Sequence, residues 1–191
     1  MEDFKAMLDA LNTEGIEVDE GLESQPEALK GQYSTEVKKV FVNDKKDWES
    51  GEVIPGKNIS FRLQVTETFS GNKGDKRYLT KRHDVFCENV YGDRVVTKAD
   101  NLRTFLATIK AMGIYNEQMT FASEGELLSF VEANAPGKML KVSTWPQMDG
   151  GEVKRDAKGW PKQNVKVVKG FTPVPEEEVK AQASASGASP F

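Results

Sequence analysis

Between residues 57 and 82 the chain carries seven bases (Lys57, Arg62, Lys73, Lys76, Arg77, Lys81, Arg82) against two acids (Glu67, Asp75), with Tyr78 among them. Cations at this density neutralise phosphates, and a flat ring gives a base a surface on which to stack. A single-stranded nucleic acid calls for that mixture. A second group lies further on, where Trp145 and Trp160 bracket Gly150-Gly151 and Lys154-Arg155, with Lys158 and Lys162 close by. Tryptophan stacks well on bases, and a loop containing glycine can open to admit a strand. Mutual packing of the two tryptophans at the base of a hairpin is the plainer alternative for at least one of them.

Catalytic patterns are weak by comparison. His83 and Cys87 stand four residues apart, on one face of a strand but roughly 13 Å from each other, too far for a nucleophile and its base. Both read as packing residues. The carboxylates of Asp149, Glu152 and Asp156 fall in a loop of mixed charge and read as solvated. Gly71-Asn72-Lys73-Gly74 lacks the following Lys-Ser/Thr of a phosphate-cradling loop and opens no helix. One cysteine excludes an internal disulfide and multi-cysteine metal sites, and one histidine removes most triads. The expectation is no catalytic residue, no cofactor and no metal.

These side chains need elements to position them. Residues 59–69 alternate, with Ile59, Phe61, Leu63 and Val65 on one side and Ser60, Arg62, Gln64 and Thr66 on the other, a half-buried strand. Residues 70–75 read as a turn by composition and 76–87 as a return strand. If paired numbers sum to 146, the buried face meets Cys87, Val85, His83 and Lys81. The open face then gathers Arg62, Gln64, Thr66 and Thr68 beside Asp84, Arg82, Thr80 and Tyr78. A one-residue slip would exchange the two faces. Cations protecting a sheet edge are the bland reading of this pattern.

Upstream, residues 32–42 are rich in Val, Tyr, Phe and Thr and predict a strand, followed by a loop over 43–56. Downstream of a loop over 90–100, Asp100 is placed to cap a helix carrying Leu102, Phe105, Leu106, Ile109 and Met112, stopped by Gly113. Ser123 and Glu126 have capping-box spacing and open a second helix with Leu127, Leu128 and Val131, closed before Pro136. Residues 138–145 and 163–171 read as the last strands. The sequence thus predicts a mainly β fold with inserted helices: a five-stranded OB-like barrel with the helices between strands 3 and 4. A generic α+β sandwich shares that element order.

The 191 residues divide unevenly by charge. Residues 1–29 hold nine acids and one base, residues 30–171 hold 24 bases and 18 acids, and residues 172–191 hold three acids and one base, giving −8, +6 and −2. The reading is an acidic N-terminal helix (Phe4, Leu8, Leu11) and linker over 1–29, a nucleic-acid-binding domain over 30–171, and a disordered Pro/Glu/Ala/Ser tail over 172–191. A basic body between acidic ends suits a polyanion partner. The acidic start, Met1-Glu2-Asp3-Phe4, and the lack of any apolar run near ~18 residues predict a cytoplasmic chain with no membrane partner.

The chain ends Ser189-Pro190-Phe191. This ending, with Pro136-Gly137-Lys138-Met139-Leu140-Lys141-Val142 and Asn164-Val165-Lys166-Val167-Val168-Lys169-Gly170-Phe171 upstream, resembles phage-type OB-fold single-stranded-DNA-binding proteins. The resemblance covers residues 30–171 and the tip by element order and texture. It implies a non-enzymatic protein that coats single-stranded DNA in phage replication or recombination. It also implies that Pro190 and Phe191 recruit replication or recombination proteins. The chain departs from the family in one respect, for its acids Glu176 to Glu178 lie well upstream of the final aromatic. An OB-like module that binds only protein is the rival expectation. The nucleic-acid-binding residues expected are Arg62, Lys73, Lys76, Arg77, Tyr78, Lys81, Arg82, Trp145, Lys154, Arg155, Trp160 and Lys162.

Overall fold

A computed structural model describes residues 27–47 and 49–170. The expected N-terminal helix, most of the 1–29 linker and the tail over 172–191, with Pro190 and Phe191, lie outside these residues. Strands β1 (Gly31–Lys46), β2 (Val53–Gly71), β3 (Tyr78–Val85), β6 (Met139–Pro146) and β9 (Gln163–Val167) form one antiparallel sheet in the order β3-β2-β1-β6-β9. The sheet curls so that β9 returns alongside β3, giving a nearly closed barrel, mostly β and consistent with an OB-like barrel. Two short hairpins, β4 (Asn89–Tyr91) with β5 (Arg94–Val96) and β7 (Met148–Asp149) with β8 (Glu152–Val153), project from it. Helices α1 (Lys98–Ala111) and α2 (Glu124–Asn134) lie between β5 and β6 in the chain.

The alternation expected in β2 holds: Ile59, Phe61, Leu63 and Val65 are buried. They meet Tyr33, Val37 and Val40 of β1, Leu140 and Val142 of β6, and Phe105 and Ile109 of α1 in one core. The Phe61 and Phe105 rings stack at 6.2 Å between centroids, and His83 stands edge-on to both. Burial, with Lys81 adding to it, holds the His83 imidazole down to about 3. Its Nε2 shares a 3.1 Å hydrogen bond with the Thr108 hydroxyl. His83 is therefore a satisfied core residue, and Cys87 is buried too.

Several expected boundaries move. The loop over 43–56 contracts, because β1 runs on to Lys46 and β2 starts at Val53. Asp47 makes this tight turn possible, its carboxylate accepting the Glu49 and Ser50 amides at 3.1 and 2.8 Å. The strand expected from residue 76 starts at Tyr78, so Lys76 and Arg77 belong to the preceding loop. The loop over 90–100 contains the β4–β5 hairpin, with Gly92-Asp93 as its two-residue turn. Thr97, not Asp100, caps α1: its hydroxyl accepts the Asp100 amide at 3.2 Å. The second helix opens as expected, Ser123 accepting the Glu126 amide at 3.1 Å.

Candidate nucleic-acid interface

The β2–β3 ladder pairs Lys57 with Val85 and Gln64 with Tyr78, so paired numbers sum to 142 rather than 146. The displacement is four, an even number, and each side chain keeps the face assigned to it. Arg62 now lies opposite Thr80, Gln64 opposite Tyr78 and Ser60 opposite Arg82. On the other edge of β2, Lys39 pairs with Arg62 and Phe41 with Ser60. The open face therefore spans three strands rather than two.

Its rings are paired with cations. The Arg62 guanidinium sits 4.4 Å from the Tyr78 centroid, and the Lys39 ammonium 4.9 Å from that of Phe41. Tyr78 is 49% exposed, which leaves ring surface for a stacked base. Lys39 and Phe41 escape a reading of the sequence for a definite reason. Strict alternation from Tyr33, Thr35 and Val37 sends Phe41 inward. A bulge between Val37 and Lys39 shifts the phase, burying Val40 and turning Phe41 out.

A trough of about 1200 Å³ runs along the seam between β3 and β9. Its lining includes Arg62, Lys76, Arg77, Tyr78, Lys81, Arg82, Trp160 and Lys162, with Phe41 at one side. Among the described residues, six cations therefore share one concavity with one carboxylate, Asp156, and three aromatic rings. Lys81 has the inward phase of Leu79 and His83, yet it is only half-buried. β3 ends the sheet and makes no ladder with β9, so an inward side chain of this length has the seam within reach. Burial lowers the Lys81 ammonium below its ordinary range.

Two loops frame the trough. Between β2 and β3, the Asn72 side chain accepts the Lys30 amide at 2.7 Å and the Tyr33 hydroxyl at 2.9 Å, and donates to the Ala28 carbonyl at 2.8 Å. This ties the loop to the residues around the start of β1, while main-chain bonds hold Lys76 and Arg77 on β2, the Lys76 amide donating to the Val65 carbonyl at 3.0 Å and the Val65 amide to the Arg77 carbonyl at 2.8 Å. Gly74 fits only because it lacks a Cβ, which would stand 2.9 Å from Tyr33 Cε1. Burial pushes the Tyr33 hydroxyl up to about 12, against the opposing pull of Arg77. Between β8 and β9, the Asp156 carboxylate accepts the Lys158 and Trp160 amides, each at 2.9 Å, and the Asp156 amide donates to the Trp160 carbonyl at 2.8 Å. Gly159, at φ +81°, permits this turn, and Trp160 leaves it 53% exposed.

Four of the expected residues stand outside the trough lining. Lys73 is exposed in the β2–β3 loop. Trp145, 43% exposed, points out from β6 opposite Asn164, itself a lining residue, so it stands beside the trough. Lys154 lies at the base of the β8–β9 loop, its amide donating to the Gln147 carbonyl at 2.8 Å. Arg155 uses Nη1 within that loop, on the Gly159 carbonyl at 2.8 Å. Among the described residues no three His, Cys, Asp or Glu side chains gather as a metal site, and no helix is long and apolar enough to cross a membrane. No protein-family model matches the sequence, and no curated protein matches it.

Proposed function

We propose that this chain is a non-enzymatic single-stranded-DNA-binding protein that coats and protects strands during phage DNA replication or recombination, in the host cytoplasm. The observation that carries the reading is the trough, where Arg62, Lys76, Arg77, Lys81, Arg82 and Lys162 surround the exposed rings of Tyr78 and Trp160. Cations follow the phosphates and rings receive the bases. In this reading β1, β2, β3, β6 and β9 are the five strands of an OB-type barrel with the helices inserted between the third and fourth. The face of strands 2 and 3 and the loop between strands 4 and 5 are the usual binding surface of that fold. Pro190 and Phe191 would serve to recruit replication or recombination proteins.

Titration of the full chain with oligo(dT), followed by tryptophan quenching, tests the reading. Binding should weaken with salt at a log–log slope near −3.5 if about five phosphates are engaged. No quenching, or a slope near zero, rejects it. The same titration separates this reading from a module that binds only protein.

A further inference from the structure

The trough does not stop at Arg82. We infer that the strand path continues over Lys81 and Arg82 into a second cavity that receives a single base, with guanine preferred; this rests on the function proposed above. The second cavity, of about 420 Å³, shares both of those residues with the trough. A strand held by Arg82 in the one therefore has its next nucleotide at the mouth of the other.

Chemistry changes across that border. Asp84 lines the second cavity, its Oδ1 accepting Asn58 Nδ2 at 2.8 Å and its Oδ2 accepting Asn89 Nδ2 at 3.2 Å. Lys45 stands 4.0 Å from Oδ2. A carboxylate offers about four acceptor positions, so two amides fix its plane and leave an acceptor on each oxygen. Tyr91, on the β4–β5 hairpin, also lines the cavity and is 62% exposed, free to stack.

A paired acceptor of this kind repels phosphate and selects the edge of a base. Guanine presents two adjacent donors, N1–H and N2–H₂, with no acceptor between them. Thymine offers one N–H flanked by carbonyls, and adenine and cytosine each set an amino group beside a ring acceptor. Only guanine fills both oxygens at once. Bidentate contacts of this sort discriminate between bases, whereas phosphate contacts do not.

Fluorescence anisotropy with the full chain tests this, using oligo(dT) of about twelve nucleotides, alone or carrying one internal dG, dA or dC. The dG oligonucleotide should bind about tenfold more tightly than the other three. Asp84→Asn and Tyr91→Ala should each reduce it towards the oligo(dT) level. Tyr91→Ala removes an exposed ring, so its result stands even if Asp84→Asn disturbs the amides that Asp84 holds. Equal affinity for all four oligonucleotides overturns the inference while leaving the trough reading intact, and so does a preference that survives both variants. Failure to bind oligo(dT) at all removes both.

Discussion

The guanidinium of Arg62 lies over the ring of Tyr78, 4.4 Å from its centroid, across a diagonal of the β2–β3 ladder. One face of the ring is thus occupied by a cation, which orients it and leaves the other for a ligand. Tyr78→Ala should weaken oligo(dT) binding by ~1–3 kcal/mol, the usual cost of losing one base stack. Tyr78→Phe should restore most of it. Equilibrium titration of both variants at one salt concentration reads the difference, and an unaltered affinity in Tyr78→Ala would remove the ring from the interface.

Asp156 is the one acid among the described residues that lines the trough, and charge alone suggests that deleting it should favour a polyanion. Its carboxylate, however, holds the Trp160 amide at 2.9 Å and shapes the turn that presents the indole. Asp156→Ala should therefore lower affinity for oligo(dT), by about 1 kcal/mol, and broaden the Trp160 environment seen by quenching. Tighter binding by Asp156→Ala would show that repulsion outweighs positioning.

His83 makes folding sensitive to acid. Its folded imidazole titrates at about 3, whereas in an unfolded chain histidine titrates near ~6.5. Above ~6.5 both states are neutral and the residue adds no pH dependence. Between about 6.5 and about 3 the unfolded state takes up a proton that the folded state refuses, so stability falls as pH falls. Urea denaturation near pH 7 and near pH 4.5 should show a loss of about 2 kcal/mol from this group. His83→Gln should lose less over the same interval, and parallel losses in both proteins would refute the assignment.

Asn72 joins the loop that carries Lys76 and Arg77 to three groups at the start of β1. Asn72→Ala should cost about 1 kcal/mol of folding stability, since the half-buried Ala28 carbonyl and the Lys30 amide lose their partner while the Tyr33 hydroxyl keeps the residue-72 backbone carbonyl at 2.8 Å. It should weaken oligo(dT) binding only slightly, because main-chain bonds to Val65 still hold Lys76 and Arg77 after the loop loses its ties to the residues before β1. Thermal melts and titrations on the same preparation check both. A large loss of affinity would show that Asn72, and not the bonds to Val65, places Lys76 and Arg77.

The faces of the central hairpin were legible in the sequence because residues alternate cleanly from Ile59 to Val65, and an error of four in register preserves their phase. The same logic fails in β1. One bulge near Lys38 reverses the alternation and brings Lys39 and Phe41 to the interface, and bulges leave no reliable compositional mark. Gly92-Asp93 carries a hairpin signal, but flanking strands of three residues each are too short for alternation to mark them. The two tryptophans could not be told apart by spacing alone. Trp160 lines the trough because Asp156 and Gly159 turn the chain there, while Trp145 follows the pleat of β6 to its outer face.

The unlaced seam between β3 and β9 has a further consequence. Backbone donors and acceptors along an unpaired edge invite a strand from another molecule, and the pairing of like edges is a common route to aggregation. Here that edge is studded with lysine and arginine, so two identical molecules approaching seam to seam meet like charge before any backbone bond can form. The side chains suited to a polyanion should thus also hinder self-association, and neutralising them should make concentrated solutions turn cloudy.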